Sequence, residues 1–316
     1  MSSYSFNQVV QYQDLPMDLV RWMDQQRFLN ITDIRCNSCN SILELRCTSL
    51  IVSFPSLFTR SSPWVLLSRL DREEKRDFCH LKCPNSSCYT TRSVRRDSFF
   101  WNSNYSLYVQ MQIICCFCEG IRVTRCTGLL GLSKSSVINY YDNLRGCYLE
   151  ELNLNPIEFT SHGPYEVDEV YIRHVQTSDG NFTNIWILDI VERETGIYWG
   201  TIVPDRSSNT LIPHICDMIP PGAIVFTDEW AAYGDLRRRG YAHFSVNHSA
   251  GEYSRTSSIE KREIDIHINT LESLHKSLRS SMANKSSRHR DRIDLILAEF
   301  TYRHSTRHLF EPFKYF

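Results

Sequence analysis

The chain has 316 residues, enough for two domains with ordinary cores, and its 42% apolar and 22% charged content is that of a soluble globular protein. A formal net charge of −1 excludes a uniformly polybasic nucleic-acid binder, and the longest apolar run, Ile113–Cys118, falls far short of the ~20 residues of a membrane helix. Met1–Asp14 has neither a basic n-region nor an apolar h-region, so no secretory signal is expected and the protein should stay inside the cell.

In chain order, the first predicted element is an amphipathic helix over Met17–Phe28. Residues 31–100 follow as short strands and knuckles, with six of the 12 cysteines between Cys36 and Cys88. In an intracellular chain such cysteines point to metal ligands or buried thiols rather than disulfides. Cys36-Asn37-Ser38-Cys39 is a CxxC knuckle, and Cys83 and Cys88 form a looser second pair. Four thiolates would close a tetrahedral structural Zn²⁺ site. Cys47, Cys79 and His80 compete as ligands, and some of these cysteines could simply be small buried hydrophobes. Lys82, Arg92, Arg95 and Arg96 make a basic stretch able to meet phosphates.

Residues 105–150 read as helices. Within them Val123–Arg145 has the pattern of a helix-turn-helix: a short helix Thr124–Leu130, a turn at Gly131-Leu132, Ser133 as N-cap, and a second helix from Lys134 to Arg145. In that arrangement Lys134, Ser135, Asn139 and Tyr140 face DNA while Val137, Tyr141 and Leu144 pack inward; an ordinary helical hairpin is the competing reading.

Pro156, Gly163 and Pro164 interrupt any regular element, which places the main boundary near residues 155–164. This divides the chain into a ribbon region 1–100, a helical region 101–155 and a last domain 160–310. The last begins with a strand Tyr165–Val175, carrying Tyr165, Val167, Glu169 and Tyr171 on one face and Glu166, Asp168, Val170 and Ile172 on the other. A turn at Ser178–Asn181 leads into strands Asn184–Val191 and Ile197–Val203, a helix Ser207–Met218 and a short buried strand Ala223–Thr227. A helix Trp230–Arg239, a strand His243–Val246, a polar loop and a helix Ile268–Ser280 complete the pattern, the last with a stripe of Leu271, Leu274 and Leu278. Antiparallel strands followed by helix and strand predict an α/β layered domain with a mixed sheet.

Three acids stand where phosphoryl-transfer chemistry can use them: Asp168 in the first strand, Asp228 at the end of the fourth, and Glu272 on the late helix. A pair of divalent ions needs carboxylates from separate elements to hold both sides of an in-line displacement. Among 36 acids, however, solvated carboxylates at strand ends are ordinary, and spacing alone does not single these out. Between Ser273 and His308, eight Lys or Arg outnumber three acids, a local excess that could meet phosphate or simply face solvent.

At these residues the chain resembles the Merlin superfamily of DDE transposases and their bacterial insertion-sequence relatives, including the ISXO2-like transposase domain. The resemblance is carried by Tyr165–Glu169, Thr227–Tyr233, Val246–Ser249, His267–Ser273 with Arg279 seven positions after Glu272, and Glu299–Arg303. Upstream, Thr91–Arg95, Ser98–Phe100 and Asn143–Arg145 are also similar, so it covers about residues 28–308. It implies a ribonuclease H-like fold, with Asp168, Asp228 and Glu272 holding two Mg²⁺ or Mn²⁺ ions. It also implies a zinc ribbon, on Cys36, Cys39, Cys83 and Cys88 here. The basic stretch, the helix-turn-helix pattern and the late helix make Arg92, Arg95, Lys134, Asn139 and Arg279 the expected contacts to double-stranded DNA. Two positions depart from the family pattern: His275 stands where Trp is usual, and Arg279 where Lys is common. His275 is read first as a packing substitute; Arg279 could grip a phosphate bidentately. Cys39 and Cys83 are also further apart than such a ribbon needs, which marks 48–70 as an insertion or translated intron.

The activity implied is cut-and-paste transposition in the nucleus, by a homodimer or larger assembly that joins two terminal inverted repeats and attacks target DNA, with no membrane involved. A domesticated, non-catalytic DNA-binding protein and a stand-alone metal nuclease are the alternatives.

Overall fold

The computed structural model describes residues 9, 11, 16–47, 77, 79–176, 182–247, 254–259, 262–282 and 290–305. The 48–70 stretch, the turn at 178–181, His248-Ser249, Lys285, Arg288 and Arg307 lie outside them. Two compact units divide between Tyr141 and Asp142, so the 155–164 loop falls inside the second.

The first unit opens with helix α1 (Pro16–Gln25), whose Leu19, Val20 and Met23 are buried. Strands β1 (Glu44–Cys47), β2 (Cys79–Lys82) and β3 (Thr91–Ser93) form a small antiparallel sheet in that order. Helices α2 (Leu107–Cys118), α3 (Val123–Leu130) and α4 (Lys134–Leu154) follow, the last running across the division. Gly131 ends α3 in the left-handed region at φ 66°, a conformation most side chains resist, and its N–H closes on the Thr127 carbonyl. Ser133 then caps α4, its Oγ accepting from the Ser136 N–H at 3.1 Å. The turn chemistry of a helix-turn-helix is therefore in place. Val137, Tyr141 and Leu144 are buried while Lys134, Ser135 and Asn139 are exposed. Tyr140 corrects the expected outward face: it is buried, its ring lies edge-on to Phe99, and its hydroxyl donates to Gln110 Oε1 at 2.9 Å.

The second unit is built on a five-stranded mixed sheet. Strands β4 (Tyr165–Gln176), β5 (Phe182–Glu192) and β6 (Tyr198–Val203) are antiparallel neighbours. After helix α5 (Ser208–Met218), strands β7 (Ile224–Asp228) and β8 (Ala242–Val246) join parallel to β4, giving the order β6-β5-β4-β7-β8. This is the ribonuclease H-like arrangement, with the first strand of the domain at the centre. The helix expected over Trp230–Arg239 is only a 3₁₀ turn, Ala231–Asp235, because Gly234 interrupts it and the chain closes in i→i+3 bonds up to Gly240. Part of the expected polar loop is a hairpin, β9 (Arg255–Ile259) with β10 (Arg262–Ile266). Helices α6 (Asn269–Met282) and α7 (Arg290–Ser305) end the domain.

Alternation along β4 and β5 supplies two cores. On one face Tyr165, Val167, Leu188 and Ile190 pack with Leu211, Ile212 and Ile215 of α5. On the other Val170, Ile187 and Val191 pack with Leu271, Leu278 and Met282 of α6 and with Ile293 and Phe300 of α7. Each such side chain contributes about 1.5–3 kcal/mol on burial. Polar side chains pin α6 to the sheet at its N-terminus: the carboxylate of Glu166 accepts from the Leu271 N–H at 3.0 Å and the Thr270 hydroxyl at 2.9 Å. Arg193 adds a bond to Glu166 and others to the carbonyls of Asp265 and His267.

Candidate active site and metal centre

Register places two of the three candidate acids side by side. Glu166 of β4 pairs with Phe226 of β7 in parallel, and Asp168 and Asp228 each lie two residues further on, where the paired segment ends. Asp228 closes β7, and loops and ligands gather at such carboxyl ends of parallel strands, whereas β4 continues beyond Asp168 to Gln176. Asp168 lies on the α6 face, and Glu272 sits in the first turn of the helix that Glu166 anchors. The neighbours are close enough to be felt: burial pushes Asp168 up to about 7, His275 works against that, and the charges of Asp228 and Glu169 add to it. The three acids are not gathered into one ligand set. Among the described residues they do not form a group whose ligand atoms all lie within 4.8 Å of one another. Asp168 Oδ1 instead accepts the Glu169 N–H at 2.8 Å, and Asp228 Oδ1 the Trp230 N–H at 3.0 Å.

Glu169 is on the opposite face but is no bystander. It is buried, paired with Arg206 at 2.8 Å, and raised in pKa first by its burial. Arg206 in turn lies over the rings of Trp186 and Trp230, 5.0 and 4.5 Å from their centroids. Glu169→Gln would therefore disturb a buried ion pair.

Sequence reasoning did not single out Asp189. Its signal was there: one acid among the apolar residues of Asn184–Val191, on a strand whose alternation turns it inward. Asp189 is the cross-strand partner of Asp168, fully buried, and accepts from the Tyr198 hydroxyl. His275 fills the space between the two acids. Its Nε2 is 2.9 Å from Asp189 Oδ2, without hydrogen-bond alignment, and its Nδ1 is 3.7 Å from Asp168 Oδ2. Burial alone would lower the pKa of His275; the two carboxylates outweigh it and hold it above its ordinary value.

In the first unit the four expected cysteines do come together. Cys36 and Cys88 sulfurs are 3.5 Å apart, Cys39 and Cys83 sulfurs 3.3 Å, and all four lie within 4.8 Å of one another. A tetrahedral Zn²⁺ with bonds of about 2.3 Å would space its sulfurs by about 3.8 Å, so this donor set fits zinc with only a slight expansion. Tight turns present the thiols: the Asn40 N–H closes on the Cys36 carbonyl, and the Cys88 N–H on that of Asn85. Cys79 and His80 lie outside this group, and the side chain of Cys47 is outside the described set.

The expected DNA contacts divide. Lys134 and Asn139 are exposed on α4, and Arg279 is exposed on α6 with its Nε 3.5 Å from the Tyr171 carbonyl. Arg92 pairs with Asp97 at 2.9 Å. Arg95 is a correction: it is 1% exposed and forks onto Asp77, with Nη2 2.6 Å from Oδ1. Asp77 also accepts the Leu107 N–H at the start of α2, and Arg95 Nη1 donates to the Ser103 carbonyl. That guanidinium is spent inside the unit and has nothing left for a phosphate.

The second unit is thus a ribonuclease H-like mixed sheet with one acid, Asp168, on its central strand and another, Asp228, at the end of the neighbouring parallel strand. Residues 161–305 match the family model of the ISXO2-like transposase domain. An uncharacterized transposase-like protein of Haemophilus influenzae is 40% identical over 48 residues, which is 15% of this chain and 39% of that protein. Thus the match spans well under half of this curated relative. Among solved structures, the magnesium complex of the HTLV-2 integrase catalytic core domain is 8% identical, with a TM-score of 0.29 over 46% of this chain and 87% of its own. The simian T-cell lymphotropic virus intasome bound to PP2A regulatory subunit B56 gamma is 14% identical, also at TM-score 0.29, over 60% of this chain and 67% of its own. No helix among the described residues is long and apolar enough to cross a membrane.

Proposed function

We propose that the chain is a cut-and-paste DNA transposase. The observation that carries this reading is that Asp168 and Asp228 each follow by two residues the parallel pair of Glu166 and Phe226, with Glu272 on the helix that Glu166 anchors. The donors fit hard divalent ions: Asp168 is a partly buried carboxylate among like charges, and a cation would relieve what desolvation and Asp228 impose on it. Asp168, Asp228 and Glu272 would hold Mg²⁺ or Mn²⁺. Bound there, such ions acidify an attacking hydroxyl and offset charge building on the scissile phosphate. Arg279, exposed on the same helix as Glu272, is suited to the DNA backbone, as are Lys134 and Asn139 on α4 and Arg92 on β3. The four-cysteine cluster would hold a structural Zn²⁺. The DNA would be the terminal inverted repeats of the element and its target, handled in the nucleus by a homodimer or larger assembly, because two ends must be joined.

The test is metal-dependent nicking of a duplex carrying the repeat end that flanks the gene. Asp168→Asn, Asp228→Asn and Glu272→Gln should each abolish nicking. Asp217→Asn should not, since that exposed residue sits on α5 over the other face. Full cleavage by Asp228→Asn would overturn the mechanism, and no cleavage by the unsubstituted protein would favour a DNA-binding role alone.

A further inference from the structure

Behind Asp168 stands a chain of contacts that the three-acid scheme does not use. Asp189 faces Asp168 directly across β4 and β5, so both carboxylates enter the layer under α6. A buried acid, Asp189, and a partly buried one, Asp168, repel in direct opposition, and the cost is met by the groups placed around them. Gly200, the register partner of Asp189 on β6, leaves the room needed: a Cβ there would lie 2.5 Å from the Tyr198 hydroxyl and 2.8 Å from Asp189 Oδ1. The Tyr198 hydroxyl occupies that room and donates to Asp189. His275 then reaches from α6, three residues after Glu272, and its 5%-exposed ring stands between the two acids.

The consequence falls on how Asp168 is oriented. One of its oxygens is fixed by the Glu169 N–H, and the other faces only the imidazole among the described contacts. Remove the ring and one backbone bond remains, about which the carboxylate can turn. We propose that His275 is a positioning residue for Asp168: seated on the Asp189–Tyr198 pair, its ring fixes the direction in which the Asp168 carboxylate presents its free lone pairs toward Asp228. The inference rests on the metal-holding role proposed above. It assigns Asp189 and Tyr198 a part in the site as supports that touch neither ion nor DNA. Groups that orient a ligand in this way are typically worth about 10- to 100-fold in metal affinity.

The experiment is Mn²⁺ binding to the zinc-loaded full chain without DNA, read as a dissociation constant at a temperature where each variant is shown to be folded. A purely structural role would lower unfolding temperature and leave the affinity of the folded protein unchanged. Asp168→Asn is the reference and should lose binding. His275→Phe, which fills the space without ring nitrogens, should weaken binding about 10- to 100-fold. His275→Gln can meet one of the two acids but cannot span both, and about tenfold weakening is expected. Wild-type affinity in folded His275→Gln overturns the positioning role whatever His275→Phe does, including failing to fold. If the unsubstituted protein binds no more Mn²⁺ than Asp168→Asn, the metal-holding role itself falls and takes this inference with it.

Discussion

The two candidate metal sites of this chain are assembled in opposite ways. In the ribbon, four thiols from two tight turns already lie within 4.8 Å of one another. In the ribonuclease H-like domain, three acids come from a central strand, a strand end and a helix, and two of them are held by backbone N–H groups rather than facing a shared centre. The first is a closed site whose geometry anticipates its ion. The second is an open set, whose acids among the described residues share no common centre. Structural zinc sites are closed and catalytic metal sites keep an open position, so the contrast fits the two roles proposed above.

Four measurements sharpen or break that contrast, beginning with the largest effect. Removing zinc, or substituting Cys36→Ser, should unfold the ribbon, since structural Zn²⁺ is worth on the order of 10 kcal/mol to such a module. Equal zinc content in Cys36→Ser and the unsubstituted protein would remove Cys36 from the ligand set. Next, Arg95→Ala should destabilise the first unit by about 3–5 kcal/mol by leaving Asp77 buried without its partner. Urea denaturation followed in that unit reads it, and a change below about 1 kcal/mol would contradict the buried pair.

Asp168→Asn should do the reverse and stabilise the Mg²⁺-free, zinc-loaded protein. The folded pKa of about 7 lies above the ordinary carboxylate value, so ionisation opposes folding. The penalty is absent at pH low enough to protonate both states, grows as pH rises towards 7, and is complete above it. Hence the gain should be largest at pH 8, about 1–3 kcal/mol once the lost His275 contact is discounted, and should fade towards pH 4. No gain at pH 8 would show that the acid is not strained by burial. The smallest effect is expected of Lys134→Ala, which should flatten the log–log salt dependence of DNA binding by about one counterion and leave stability alone. An unchanged slope would remove Lys134 from the phosphate contacts.

Much of the second domain could be read from the chain because strand alternation and turn residues are local signals. Tyr165–Val175 and Ile197–Val203 were expected within a residue or so of where β4 and β6 lie. Asp228 follows an apolar run, Asp168 is picked out among its acidic neighbours by the family resemblance, and the CxxC spacing marks its own knuckle. What stayed hidden depends on pairing between distant segments. Nothing near Arg95 announces Asp77 eighteen positions earlier, so a basic cluster read as a phosphate contact where there is a buried fork. Asp189 gains its meaning only from a register that sets it opposite Asp168, and His275 only from the helix that lowers it between them. The hairpin β9–β10 was missed because its strands are short and polar, and Gly234 turned an expected helix into a 3₁₀ turn.

The pairing of β1 with β2 sets Cys47 directly opposite Cys79. The chain therefore leaves the ribbon after residue 47 and re-enters it at a neighbouring point, whatever lies between. Bringing two points of a chain together costs only about 0.6 kcal/mol more for each doubling of the length between them. A gene could thus lengthen or trim this stretch with little penalty to the ribbon, provided Asp77 stays within reach of Arg95. The junction is accordingly a port at which foreign sequence, a reporter or an affinity handle can be inserted.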